Sequence, residues 1–368
     1  MGMEKVQHGH ALDGGAGEGH MLTGQLERLG GWIRPYVARP PWGTVLGLAR
    51  TLLALGTLGT LLATPASVLL SPLAGGVRPP VCSGAGSLSL WCVLPSDRHE
   101  LAKWVSIGVL AVVASGWRPT LTAIPHWWIS WSFITSVTVQ DGGDQVTAVL
   151  TLLLIPIALT DPRRWHWTPT AWRGVSETRR LVAVTAFFLI RVQVMVIYLH
   201  AGIAKLGVPE WVDGTAIFYW FRNVAFGAPE LLRPLLDAMT DVPLLVALIT
   251  WGSIVLEVLI GVALFLPRRA QVVLLFSGLL FHDAISALMG LWSFDAAMTA
   301  ALVLYLSPIG ANLAGVKNAT RLWRKRNLSG GQGQPATAES EEPPKPESSS
   351  MIVPGGTGRE LVRESEAG

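Results

Sequence analysis

What most limits the folds open to this chain is a repeated spacing: apolar blocks of roughly 17–24 residues, separated by short charged stretches. Such blocks match bilayer-spanning helices, because a helix rises about 1.5 Å per residue against a hydrocarbon layer of about 30 Å. A membrane barrel would show alternation of apolar and polar residues instead, and no stretch here does. The spacing predicts an all-α, polytopic membrane protein of about eight transmembrane helices. They are expected at approximately 42–64, 104–117, 126–139, 146–160, 181–204, 244–265, 270–288 and 292–307. The third is Trp-rich (HWWISWSFITSVTV) and reads as a tilted or partly interfacial helix. Only 14% of the residues are charged, against about 25% in soluble domains, which fits lipid as the solvent for much of the surface.

Basic loop residues orient the spans. With the N-terminus in the cytoplasm, Arg28, Arg34 and Arg39 precede the first span on the inner side. Arg118, then Arg163, Arg164, Arg173, Arg179 and Arg180, then Arg268 and Arg269 fall on that same side, as does the cluster Lys317, Arg321, Arg324, Lys325 and Arg326. The opposite loops carry the acids Asp97, Glu100, Asp141, Asp144, Glu210, Asp213, Glu230, Asp237 and Asp241. The expectation is a multi-pass protein of the cell membrane with both termini cytoplasmic.

No aromatic-interleaved basic stripe accompanies the small net charge of +3, so membrane lipid rather than nucleic acid is the expected partner. The first apolar run begins only near Trp42 and reads as an uncleaved anchor. Residues 1–40 form a polar segment whose start is Gly- and His-rich, and His8, His10 and His20 fit a disordered tail better than a metal site. Residues 311–368 are basic, then low-complexity, which leaves 41–310 as the membrane domain. Walker A, H-E-x-x-H and zinc-type Cys/His spacings are absent, and no metal is expected.

Cys82 and Cys92 are the only cysteines, and both fall in the outer loop after the first span. Outside the membrane is where a disulfide persists, so a structural bond is the favoured reading. A redox pair and two free thiols are the rivals; the spacing is not the C-x-x-C of exchange catalysts.

Ionisable groups inside a span are costly and are functional candidates by default. Here they are Arg50, Arg191, His200, Lys205, Glu257, His282, Asp283 and Asp295. Counted from the inner helix ends, Arg191 and Glu257 lie at similar depths, which suggests a structural ion pair that fixes helix packing, with Arg50 as a competitor for the acid. Lys205, His282, Asp283 and Asp295 lie toward the outer ends and are expected to converge on one pocket. Two readings stand for Lys205: a desolvated general base, or a lysine that snorkels to the interface. Small residues (Ala201, Gly202, Ala204) let a neighbouring helix approach beside it, and the aromatic stretch AIFYWFRNVAF that follows reads as an interfacial helix flanking lateral access for an amphiphile.

At these residues the chain resembles a known family. YLHAGIAKLGVPEWVDGTA is similar to the signature of the horizontally transferred transmembrane (HTTM) superfamily, carried here by Ala201, Gly202, Lys205, Leu206, Trp211 and Gly214. FHDAIS, with Phe281 and His282, resembles its second element, and Glu257 stands where related chains carry an acid. The superfamily includes vitamin K-dependent gamma-glutamyl carboxylases and the bacterial sporulation-delaying protein B group. The extended lysine motif and the outer Cys loop resemble the latter group most. That resemblance implies a role in producing or maturing a secreted antimicrobial peptide, with a peptide precursor and a small partner protein as partners. The carboxylase resemblance implies a quinol cofactor with Lys205 as the base; beside it His282 is the expected second catalytic residue, and Trp211, Asp283, Asp295 and Asp144 are the expected binding residues. This sequence departs from the carboxylases: Gly142 to Gln145 (GGDQ) replaces an Asn/His-containing element, and the large lumenal domain has no counterpart. A binding or immunity protein without chemistry is the remaining alternative.

Overall fold

The computed structural model describes residues 31, 38, 40–72, 79–138, 140–169, 174–223, 227 and 229–314. Arg28, Arg34, Arg39, Arg173 and the C-terminal basic cluster lie outside them, as do both expected tails apart from residues 31, 38, 40 and 311–314. Eight helices of 15 residues or more dominate the described residues: α1 Thr44–Ala63, α2 His99–Ser115, α3 Pro119–Ser136, α4 Gly142–Leu159, α5 Glu177–Lys205, α6 Pro243–Gly261, α7 Arg268–Met289 and α8 Trp292–Leu306. They lie where the apolar blocks predict helices. Five of them (α1, α4, α5, α6 and α7) are long and apolar enough to cross a membrane. Among the described residues the only bridge outside the helices is the antiparallel one between Trp117 and Trp165.

The bundle is organised around its shortest long helix. α8 packs against α1, α4, α5 and α7, and every residue from Ala297 to Leu306 except Thr299 is buried. A helix that is apolar all round is one enclosed all round, which explains why α8 reads as uniformly apolar rather than striped. α7 lies at the edge, with Val273, Phe276 and Leu280 exposed as lipid-facing residues would be. Inside a bilayer such helices associate through close packing and hydrogen bonds rather than by hiding apolar surface from water.

Helix ends find partners for their free backbone groups. At the start of α1 the chain after α8 does this: Thr44 N–H donates to Asn312 Oδ1 at 3.0 Å, and Leu313 N–H donates to Thr44 Oγ1 at 2.8 Å. α4 opens on a capping box, in which Asp141 Oδ1 accepts from Asp144 N–H (3.0 Å) and Asp144 Oδ2 accepts from Asp141 N–H (3.1 Å). Ser293 Oγ donates to the other oxygen of Asp141 at 2.8 Å, tying the α3–α4 turn to the start of α8.

A second apolar core joins α2, α3 and the last turns of α1 to Leu90 and Trp91 of the Cys loop. Cys82 and Cys92 form a disulfide there. The loop is held on α3 by Leu90 N–H to Ser132 Oγ (3.0 Å), Ser136 Oγ to Ser89 Oγ (2.9 Å) and Trp128 Nε1 to Leu88 O (3.0 Å).

At the opposite end the basic turns meet. Arg118 N–H donates to Arg164 O at 2.8 Å, beside the Trp117–Trp165 bridge. Arg163 is buried in an ion pair with Asp161 (2.7 Å) and donates to His166 O at 2.7 Å. His166 is fully buried and its Nε2 lies 3.2 Å from Thr51 Oγ1. Burial, with the Arg50 and Arg163 charges nearby, holds its imidazole down at about 3, so it stays neutral. Arg50 belongs to this cluster and donates to Thr122 Oγ1 at 3.2 Å, so it does not compete for Glu257.

Candidate functional site

The lysine motif ends the 29-residue helix α5, and α6 runs back along its last turns. Glycine makes the approach close. A Cβ on Gly202 would stand 2.8 Å from Val258 Cγ2, and one on Gly261 would stand 2.7 Å from the Leu199 side chain. A larger residue at either place must displace the facing side chain or the helix that carries it. This contact sets the register of the two helices, and the register puts Lys205 Nζ on Glu257 Oε2 as an ion pair.

That pairing corrects the expected Arg191–Glu257 pair. Because Gly261 ends α6 level with Leu199, α5 continues well past the end of its neighbour, and Arg191 lies about 21 Å along α5 from Lys205. Arg191 Nη2 instead donates to Ser307 O, at the end of α8, at 2.7 Å. Depth counted from helix ends failed because the two helices do not end at the same level.

Lys205 is held from three directions. Besides Glu257, it donates to Ala201 O (3.4 Å), and its ammonium stands 5.0 Å from the centre of the Trp211 ring. That distance is within the roughly 6 Å range of a cation–π contact. Pro209 begins the short helix Pro209–Val212 that carries Trp211, and Gly214, at φ 75°, turns the chain away after it. The aromatic helix Ala216–Phe221 then packs on α6.

On the other side of Glu257 is a cavity of about 430 Å³ between α4, α5, α6, α7 and α8. Its walls are apolar at Val146, Val149, Val196, Ile197, Phe294 and Met298, and polar at Glu257, Tyr198, His282, His200, Gln145 and Gln193. Gln145, Val149, Val196 and His200 are exposed, so the cavity opens sideways between α4 and α5. Within it Tyr198 Oη and His282 Nε2 are 2.8 Å apart. His282 is buried among the rings of Phe281 and Phe294, and its Nδ1 has no hydrogen-bond partner among the described residues.

The expected pocket residues therefore separate. His282 and Glu257 line the cavity; Lys205 and Trp211 form its support behind Glu257. Asp283 is exposed, and Asp295 is half-buried and accepts from Thr299 Oγ1 at 3.3 Å. Neither lines the cavity. Asp144 is buried in its capping box. Tyr198, Gln145 and Gln193 were not among the expected site residues. The signal for Tyr198 was present, since it lies two turns before Lys205 on the same helix face.

Together, the apolar helices and this site define a multi-pass membrane protein. The HTTM domain family matches residues 147–309, which hold α5 to α8 and most of α4. The chain belongs to that family and is of the sporulation-delaying protein SdpB type. It is 34% identical to sporulation-delaying protein SdpB of Bacillus subtilis over 294 residues, 78% of this chain and 88% of that protein. It is 36% identical to the uncharacterized protein YitO of the same organism over 307 residues, 83% of this chain and 98% of that protein. No solved structure matches the chain.

Proposed function

We propose that this protein acts in the production or maturation of a secreted antimicrobial peptide, as a cell-membrane protein with both termini in the cytoplasm. The observation that carries this reading is its similarity to sporulation-delaying protein SdpB along most of both chains. The cavity supports a direct part in the process, because it joins an ion pair, a Tyr–His contact and an apolar wall in one place. With cytoplasmic termini, the Cys82–Cys92 loop and the Lys205 end of the bundle face outward, toward an exported precursor. A secreted peptide precursor and a small partner protein are the partners in this account. The test is a deletion strain assayed for mature peptide by mass spectrometry: loss of the mature form supports the reading, and normal output refutes it.

A second reading, a carboxylase-like enzyme that uses a membrane quinol with Lys205 as base, draws on the shape of the cavity. An apolar ring with hydroxyls at its rim fits walls of Val146, Val149 and Ile197, with Tyr198, His282 and Glu257 at hand for the hydroxyls. When bound, a quinol supplies two electrons and two protons to an oxidant. On this reading Lys205→Ala abolishes quinol-dependent modification of a peptide in isolated membranes; unchanged modification rejects it.

A further inference from the structure

We infer that Glu257, rather than Lys205, is the group that meets the ligand, and that Lys205 is the counter-ion that positions it. This inference rests on the cavity being the working site, as proposed above. Three observations carry it. Glu257 lines the cavity, whereas Lys205 does not. Lys205 is turned the other way, toward Trp211, which lines a separate hollow of about 420 Å³ with Tyr219 and Trp220. Glu257 uses Oε2 for the ammonium, and no described residue donates to its Oε1.

The chemistry follows from that division. Lys205 Nζ is engaged by Glu257, Ala201 O and the Trp211 ring and does not line the cavity, so it is not placed to take a proton from a ligand there. A carboxylate fixed through one oxygen presents the other as an acceptor of fixed direction. The matching ligand has an apolar body and an O–H or N–H group at one end. It reaches the cavity through the opening between α4 and α5. In the step itself the ligand X–H bond breaks, its proton passes to Glu257 Oε1, and the negative charge moves from the carboxylate to X. Lys205 stays on Oε2 and takes no part in the transfer. His282 and Tyr198, bonded to each other, form the wall of the same cavity beside the reacting atoms.

The test has two arms on the full-length protein in membranes. The first is independent of any peptide: dicyclohexylcarbodiimide, an apolar carboxyl reagent, is applied and the products are mapped by mass spectrometry. Glu257 is expected to be modified, as an acylurea or as an amide to Lys205. Val149→Trp, which narrows the cavity, should slow that reaction at least fivefold. An unmodified Glu257, or a rate unaffected by Val149→Trp, overturns the inference even if the chain proves to have no role in peptide maturation. The second arm measures mature peptide in a deletion strain. Glu257→Gln should lower output at least tenfold, Lys205→Met likewise, and Lys205→Arg should restore output to within threefold of wild type, because a guanidinium still holds the carboxylate. Loss with Lys205→Arg alongside retention with Glu257→Gln makes Lys205 the base and overturns the inference. Membrane levels of each variant, with Glu257→Asp as a folding control, separate lost chemistry from lost protein.

Discussion

Lys205 at the end of α5 and Glu257 within α6 form an ion pair roofed by the indole of Trp211, with side-chain exposures of only 20% and 9%. Neither charge has ready access to water, so each depends on the other. Removing one partner strands the other. Lys205→Met and Glu257→Gln should each destabilise the protein by roughly 1–3 kcal/mol, less than the ~3–5 of a fully buried pair because Lys205 keeps some exposure. The double variant should cost less than the sum of the two. A double-mutant cycle on thermal unfolding in lipid nanodiscs checks this, and additive costs would falsify the coupling.

The helix contact that makes the pair has its own test. Gly202→Val places methyl groups where Val258 already stands and forces α5 from α6. Overpacking of this kind costs about 1–3 kcal/mol. It should also part Lys205 from Glu257, and so remove any carbodiimide-formed amide between them. An undiminished amide yield in Gly202→Val would show that the glycine contact does not set the register.

His166, in the turn between α4 and α5, gives the protein a dependence on acid. Its folded-state value is held at about 3, below the ordinary 6.5. Between those values the unfolded chain takes up a proton that the folded chain does not, so stability is complete above about pH 6.5 and falls as pH drops toward 3. His166→Gln should flatten the slope of unfolding temperature against pH across that window. An identical slope in the variant would assign the acid response elsewhere.

The disulfide offers a check on sidedness. Intact cells treated with a membrane-impermeant maleimide should label Cys82 and Cys92 only after mild reduction. Labelling that requires permeabilised cells would place the loop on the inner side and reverse the proposed topology. Closing a loop of this length is worth about 2–3 kcal/mol in the chain-entropy picture, so Cys82→Ser should lower the unfolding temperature.

Much of the architecture was legible in the sequence because apolar blocks and helices have the same cause. The block at 42–64 is helix Thr44–Ala63, and that at 244–265 is Pro243–Gly261. Boundaries shifted where polar residues sit inside packed helices. α2 begins at His99 rather than near Trp104, with Lys103 buried against its neighbours. α3 begins at Pro119 rather than near His126 and runs through Pro125. The lysine motif and the F-H element pointed to Lys205 and His282, but depth counting set Glu257 apart with Arg191, whereas it pairs with Lys205 and lines the cavity with His282. What the sequence did not carry was the relative level of helix ends, since α6 stops beside Leu199 and leaves Arg191 out of reach. Nor did it show which of several acids face inward: Asp283 follows His282 directly yet points outward, as adjacent helical residues must.

The most direct test of the account is the amount of mature peptide secreted by a deletion strain that carries His282→Ala at wild-type membrane levels. His282 lines the cavity and is bonded to Tyr198 rather than to the Lys205–Glu257 pair, so its loss tests the cavity with that pair intact. Output at least tenfold below that of the strain carrying the wild-type chain is the expected result. Wild-type output from the variant would contradict the claim that this cavity is where the protein works.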